Sequence, residues 1–211
     1  MPVVTALRAT RSGAVALHVD GEYCCTVSES LVARWHLFKG RELDAEAIAE
    51  LQGSAARERT AGDAYRLLGH RPRSRAELRR RLLEKGHDER VVDDVLGRLE
   101  AEGFVDDHDF ARRYAADKRR LAAWGDQRVR RELEALGVAG DIVSEVMGEA
   151  PDDDDELARA EAFLARRSPP APPLDAARRR AYQALVRRGF AGSVAYAAVR
   201  RWAGDERPAA N

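Results

Sequence analysis

Arginine is the residue type whose number and spacing in this chain could do chemistry. The 211-residue sequence contains 33 arginines and three lysines. A guanidinium group is planar and donates paired hydrogen bonds to phosphate or carboxylate oxygens. Many of the arginines fall in three blocks, residues 65–85, 112–131 and 166–188, and each block has a net charge of +6. The pattern predicts binding to an anionic partner.

Acidic blocks alternate with these basic ones. Residues 88–109 have a net charge of −7 and residues 141–161 a net charge of −8, so the formal net charge of zero is a cancellation. Because a solvated helix surface usually mixes both signs, the one-sided blocks favour binding surfaces. An ordinary charged outer surface is the alternative, and composition alone leaves it open.

Histidine and cysteine show no spacing that would build a reactive site. The five histidines are scattered without the spacing of metal ligands. Cys24 and Cys25 are adjacent, which suits neither an ordinary disulfide nor a zinc site. The sequence has no glycine-rich phosphate loop and no nucleophile motif. We therefore predict no catalytic residue, no cofactor and no metal, and a protein that is not an enzyme.

Three glycines mark a repeat that would position the basic blocks. Gly86, Gly137 and Gly189 are 51 and 52 residues apart, and apolar residues recur at fixed offsets from each of them. The residues eight and four before and nine after each glycine are Leu78, Leu82 and Val95, then Val129, Leu133 and Val146, then Ala181, Leu185 and Ala198. These offsets lie on one face of two successive helices that a left-handed glycine separates. Each repeat is thus predicted to contain a helix, a glycine turn and a helix.

A further helix precedes each pair, which makes every repeat a three-helix unit. These helices are predicted over residues 61–68, 109–121 and 152–166. Ser74 with Glu77 forms a capping box at the start of the following helix, and Asp88 and Asp126 are predicted N-caps. The proline cluster at residues 169–173 predicts a stiff connection inside the third repeat.

The first 53 residues have a different pattern. Short β-branched runs at residues 3–7, 14–19 and 23–27 are separated by turns, including the hairpin dipeptide Asp20-Gly21. They predict an antiparallel meander, followed by two short helices over residues 28–35 and 44–51. The predicted domains are 1–53, three repeats at 54–106, 107–150 and 151–204, and a disordered tail at 205–211.

The helical phase selects the arginines that point outward. The position six before each glycine lies opposite the core, and it is Arg80 in the first repeat and Arg131 in the second. The candidate binding residues are Arg79, Arg80, Lys85, Arg128, Arg130, Arg131, Arg179, Arg187 and Arg188. The aromatic residues expected in the core are Tyr65, Phe104, Phe110, Tyr114, Phe190, Tyr196 and Trp202. Trp124, at a turn, is the exposed exception.

Two other functional classes fit parts of the pattern. Residues 75–99 resemble a helix-turn-helix motif, in which the second helix enters the major groove of DNA and contacts the bases. That helix is acidic here, with Asp93, Asp94 and Glu100, so its charge has the wrong sign. A repeat scaffold for an unrelated acidic protein is the other class, and composition does not exclude it.

Several motifs resemble one known family, RecX. They are Asp20-Gly21-Glu22-Tyr23, Leu37-Phe38-Lys39-Gly40-Arg41-Glu42-Leu43-Asp44, Arg71-Pro72-Arg73-Ser74-Arg75-Ala76-Glu77-Leu78, Leu82-Leu83-Glu84-Lys85-Gly86, Gly103-Phe104-Val105-Asp106-Asp107, Phe110-Ala111-Arg112 and Gly125-Asp126-Gln127-Arg128-Val129-Arg130-Arg131-Glu132-Leu133. The resemblance spans about residues 3–202 and is most specific in the first two repeats. The third repeat departs from the pattern at its prolines and at Ala181.

The resemblance implies a mainly α fold, an elongated curved array of three three-helix repeats after the small β-domain. It also implies a negative regulator of homologous recombination that lodges in the groove of the RecA–DNA filament, inhibits its ATPase and strand exchange, and has no activity of its own. Whether the arginines touch DNA, RecA or both is open. We take the protein as a monomer, and expect it in the cytoplasm because no run of about 18 apolar residues and no signal-peptide layout is present.

Overall fold

The computed structural model describes residues 1–11, 13–148, 153–167 and 174–204, without the side chains of residues 153 and 154. It divides into two compact units. Unit 1 comprises residues 1–72 and 78–105, and unit 2 comprises residues 73–77 and 106–211. The predicted proline connection and the predicted tail at 205–211 lie outside the described residues. The division into a domain at 1–53 and three repeats stays a prediction.

Unit 1 begins with the predicted meander. Strands β1 (Val4–Ala9), β2 (Val15–Val19) and β3 (Glu22–Val27) form an antiparallel sheet in the order β1-β2-β3. Asp20 and Gly21 both have positive φ, 49° and 89°, as a two-residue hairpin turn requires. One face of the sheet packs its buried side chains against the helices that follow. The predicted hairpin is confirmed.

The helices that follow the sheet differ from the prediction in one respect. Helix α1 (Glu29–Arg34) corresponds to the first short helix, but α2 (Ala45–His70) is a single 26-residue helix. It merges the separate helices predicted at 44–51 and 61–68 and passes through residue 53, so those two separate helices were wrong. Gly53 and Gly62 lie inside α2, and the next proline is Pro72. A helix tolerates isolated glycines at about 1 kcal/mol each, whereas proline ends it.

Helices α3 (Arg75–Glu84) and α4 (Glu89–Ala101) follow, with Gly86 between them. Leu78, Leu82 and Leu96 are fully buried and form a core with the second half of α2. Asp88 caps α4 through hydrogen bonds from the backbone N–H groups of Arg90 and Val91. The predicted core leucines and the cap at Asp88 are confirmed.

Unit 2 contains two further three-helix groups. Their helices are α5 (Asp107–Ala122), α6 (Asp126–Ala135) and α7 (Gly140–Gly148), then α8 (Asp153–Ala165), α9 (Leu174–Arg187) and α10 (Gly192–Trp202). Each group has its own apolar core, around Val129 and Leu133 in the first and around Leu185 and Phe190 in the second. The N-cap of α6 is Gly125 and makes no side-chain cap, so the prediction of Asp126 as an N-cap was wrong.

The fold class is confirmed: the described chain is mostly helical, with a small antiparallel sheet followed by three-helix groups. Gly86, Gly137 and Gly189 have φ values of 81°, 79° and 84°, the left-handed conformation that the repeat required. Among the aromatic residues predicted in the core, Phe110 and Phe190 are buried, while Tyr65, Phe104 and Tyr196 are 40%, 56% and 60% exposed. Those three predictions were wrong, because helical spacing alone does not show which face of a helix the neighbouring helices cover.

Within the described residues, no helix combines the length and the apolar character needed to cross a membrane.

Candidate nucleic-acid interface

The outward phase predicted for the middle helices is confirmed, although the binding role stays a prediction. Arg80 on α3 and Arg131 on α6 are both exposed. Arg80 has no ion pair among the described residues, and Arg131 donates to the carbonyl oxygen of Gln127 at 3.2 Å. Both guanidinium groups are therefore accessible to a partner.

The arginines beside them are engaged within the fold. Arg79 donates from Nε to Asp93 at 2.7 Å and also pairs with Glu89, both on the α4 side of the glycine turn. The hydrogen bonds that Arg79 donates to Asp93 and Glu89 raise the pKa of Arg79 above its usual value. Arg130 donates to the Ser144 hydroxyl at 3.4 Å. Much of the charge of Arg79 is thus neutralised by its own unit.

Lys85 belongs to a buried polar network that helical spacing did not reveal. Its Nζ lies 2.9 Å from Oδ1 of Asp63, and Asp63 Oδ2 lies 2.7 Å from Nε2 of His87. The other ring nitrogen of His87 is 2.9 Å from the Thr60 hydroxyl, and Arg66 is also paired with Asp63. The network attaches the Gly86 turn to α2. Lys85 is therefore a structural residue as well as a predicted binding residue.

Asp63 stays ionised at the centre of this network. Burial by itself raises the pKa of Asp63, but the hydrogen bonds from Lys85 and His87 and the charges of Arg66 and Lys85 outweigh it and hold the pKa below its ordinary value. Because a carboxylate only accepts hydrogen bonds, Nε2 of His87 carries the hydrogen.

Three of the predicted arginines come together in a cleft of unit 2. Arg128 from α6, Arg187 from the end of α9 and Arg188 just after it line a cavity of about 440 Å³. Arg167, two residues after the end of α8, also lines it, together with the rings of Trp124 and Phe163. We call these four arginines and two rings the arginine cleft. Arg179 is exposed on α9 and does not line it.

The rings hold guanidinium groups in place. The Arg128 guanidinium lies 3.9 Å from the Trp124 ring centroid, and that of Arg188 lies 4.3 Å from the Phe163 centroid. The negative face of an aromatic ring attracts a cation, at about 0.5–2 kcal/mol. Arg188 also donates to the carbonyl oxygen of Ala122 at 2.6 Å. Two of the four guanidinium groups are thus fixed before any partner binds.

A contact between backbones builds the cleft. The Gly125 N–H donates to the Arg188 carbonyl at 2.9 Å, and the Gln127 N–H donates to the Gly189 carbonyl at 3.1 Å. A Cβ added at Gly125 would lie 2.2 Å from the backbone nitrogen of Phe190, so only glycine fits there. We call this contact the glycine joint. Trp124 precedes Gly125 and Arg188 precedes Gly189. The joint therefore brings the side of the cleft that carries Trp124 next to the side that carries Arg188.

A buried carboxylate supports the joint from the α8 side. Glu156 is 5% exposed and accepts the Asp126 N–H at 3.0 Å at the start of α6. Burial raises the pKa of Glu156, against the lowering effect of the backbone N–H groups of Asp126 and Ala191. The Asp126 carboxylate in turn binds Arg119 at 2.8 Å and Arg159 at 2.9 Å. The carboxylates of Glu156 and Asp126 are thus engaged by groups that do not line the cleft.

The cleft is strongly positive. Within the described residues, the one carboxylate close to any of its four guanidinium groups is Glu132, 3.9 Å from Arg128. Sequence reasoning missed Arg167 and Phe163. Both aromatic residues have an arginine four positions later, Trp124 with Arg128 and Phe163 with Arg167, and this spacing is the signal that could have found them.

Comparisons with known proteins agree with this architecture. Residues 62–99 match the first three-helix domain of RecX, and residues 106–147 match the second. A crystal structure of regulatory protein RecX superposes with a TM-score of 0.69 at 22% identity and covers 98% of this chain and 100% of its own. The RecX structure from Lactobacillus salivarius gives a TM-score of 0.62 at 14% identity, over 71% of this chain and 97% of its own. These likenesses concern the fold.

Sequence relatives extend the match. The regulatory protein RecX of Leuconostoc citreum is 28% identical over 65% of this chain, and the match spans 52% of that protein. The relative from Geobacillus kaustophilus is 31% identical over 83% of this chain and 66% of its own length. The relative from Deinococcus radiodurans is 37% identical over 68% of each. On these matches, together with the two three-helix domains, the chain belongs to the RecX family of regulatory proteins.

Proposed function

We propose that this chain binds the filament that the RecA recombinase forms on DNA and acts as a negative regulator of homologous recombination, lowering ATP hydrolysis and strand exchange. The arginine cleft carries the proposal, because four clustered guanidinium groups suit a densely anionic surface such as protein-coated DNA. Membership in the RecX family supports RecA as the partner. The exposed Arg80, Arg131 and Arg179 add positive charge outside the cleft.

The proposal includes the setting of the protein. It acts in the cytoplasm as a monomer without catalysis of its own, within DNA repair and the SOS response. Its domains are the N-terminal domain at 1–53 and three repeats at 54–106, 107–150 and 151–204. A basic helical DNA-binding protein, or a scaffold for another acidic partner, is the alternative.

The decisive experiment is a titration of the protein into RecA that hydrolyses ATP on single-stranded DNA, beside its binding to the bare strand. We expect hydrolysis to fall at protein concentrations well below those that coat the bare strand. Unchanged hydrolysis, or loss only once the strand is saturated, would indicate the alternative.

Charge reversal on the middle helices tests the outward arginines. We expect Arg80→Glu and Arg131→Glu each to raise the concentration needed for half-inhibition of strand exchange by about tenfold, because like charges then face an anionic filament. Arg90→Glu, an exposed arginine of α4 outside the three basic blocks, is the matched control and should change inhibition little. Unchanged inhibition by both variants with normal circular dichroism would contradict the assignment.

A further inference from the structure

The rings of the arginine cleft are occupied. Lys118 lies 4.9 Å from the Trp124 centroid in addition to Arg128, and Arg167 lies 5.8 Å from the Phe163 centroid in addition to Arg188. Sites that stack nucleobases need an open aromatic face. Each of these rings instead already has a guanidinium group within 4.3 Å of its centroid, and both rings are half-buried. Their role in the cleft is to position positive charge.

The four guanidinium groups fall into two pairs. Arg128 and Arg188 are fixed on the rings, and Arg188 is further held by its hydrogen bond to Ala122. Arg167 and Arg187 are exposed at the cleft and have no ion pair among the described residues. A ligand would meet two guanidinium groups whose positions are fixed and two whose side chains can move toward it. Like charges held together repel one another, and a ligand with several negative charges relieves that repulsion.

The lining distinguishes between two kinds of anionic ligand. Clusters of arginines also bind acidic or phosphorylated peptides, but protein interfaces additionally place anchor side chains in well-packed pockets. Apart from the edges of two occupied rings, the described lining of this cleft offers Ala184 as its apolar side chain. Interfaces with nucleic acids are more polar and more positively charged than those with proteins, and most of their hydrogen bonds go to phosphate and sugar. The cleft therefore fits a phosphodiester backbone better than a peptide.

We propose that the arginine cleft is a clamp for the phosphodiester backbone of a DNA strand, in which Arg128, Arg167, Arg187 and Arg188 bind phosphates and no base is read. The clamp deepens the proposed function and rests on it for the identity of the polyanion. It assigns DNA, rather than the recombinase, to this surface of unit 2.

Three single-stranded oligonucleotides of equal length distinguish binding through phosphates from binding through bases. Binding of the full chain is measured by fluorescence anisotropy with a labelled oligothymidylate, with an abasic strand, and with an uncharged methylphosphonate strand. The clamp predicts that the abasic strand binds within about twofold of the oligothymidylate, since stacking contributes nothing. It predicts a loss of tenfold or more for the methylphosphonate strand. The logarithm of affinity should fall with the logarithm of salt at a slope of about −2 to −3, as three or four phosphate contacts require.

Substitutions of the two adjustable arginines locate the contacts. Arg167→Gln and Arg187→Gln are each expected to weaken binding about fivefold and to reduce the salt slope by about 0.7. Arg90→Gln, exposed on α4 outside the cleft and outside the three basic blocks, is the control and should bind as the native chain does. Circular dichroism and thermal melting check that each variant is folded.

Several results would overturn the clamp. They are full binding of the methylphosphonate strand, strong loss with the abasic strand, native binding by both cleft variants, or tighter binding of polyglutamate than of the oligothymidylate. The hydrolysis assay with native protein judges the proposed function separately. If the native chain does not inhibit RecA, the proposed function fails whatever the strand measurements show; if only the strand measurements fail, the clamp alone is wrong.

Discussion

A Gly189→Ala variant is expected to lose about 3 kcal/mol or more of unfolding free energy. The added Cβ would lie 2.3 Å from the Cβ of Arg128 and 2.5 Å from its backbone nitrogen, and the φ of 84° is itself unfavourable for alanine. Because Arg128 lies in the first turn of α6, relief of the clash must separate α6 from the end of α9. The variant should therefore also lose strand binding in the cleft.

Urea unfolding followed by circular dichroism measures this loss. Gly140→Ala is the matched control within the same unit, since a Cβ there meets nothing within 4 Å and φ is not positive. Its stability should stay within about 0.5 kcal/mol of the native value. If Gly189→Ala behaved like Gly140→Ala, the close packing of the glycine joint would be refuted.

The second large effect is expected at Asp63. At neutral pH, Asp63→Asn should destabilise unit 1 by about 3 kcal/mol, because buried His87 and half-exposed Lys85 lose their anionic partner. The pKa of Asp63 is lowered in the folded state, so its contribution is present above the unfolded value near 4 and is lost as the pH falls through the folded value. The gap between native and variant stability should accordingly close in acid.

The measurement is the free energy of unfolding of both proteins by urea between about pH 3 and pH 7. Asp94→Asn, an exposed carboxylate of α4, serves as the control, and its curve should run parallel to the native one. A constant gap between Asp63→Asn and the native protein across that range would show that the Asp63 charge does not stabilise the network.

Helical periodicity predicted the repeated part of the fold because large apolar residues mark it. Leu78, Leu82, Leu133 and Leu185 are fully buried, as their offsets from the glycines required. The middle of α2 was missed because small or polar residues, such as Ala55 and Thr60, fill its buried positions and give no apolar signal. Continuity of a helix through such a stretch depends on what packs against it.

The candidate site could be predicted only in part. The phase within one helix shows that Arg80 and Arg131 point outward. It does not show that Arg79 forms an ion pair with Asp93, 14 residues later, because that contact depends on how α3 and α4 pack. The meeting of Arg128 with Arg188 requires the glycine joint between residues more than 60 positions apart, and Gly125 in the sequence indicated no more than a turn.

The joint has a consequence for how such proteins diverge. Main-chain atoms are common to every sequence, so a contact made by them constrains little of the chain beyond the two positions that must lack a Cβ. A backbone contact of this kind lets the surface charge of the arginine cleft change by mutation while the main-chain positions that carry it stay the same.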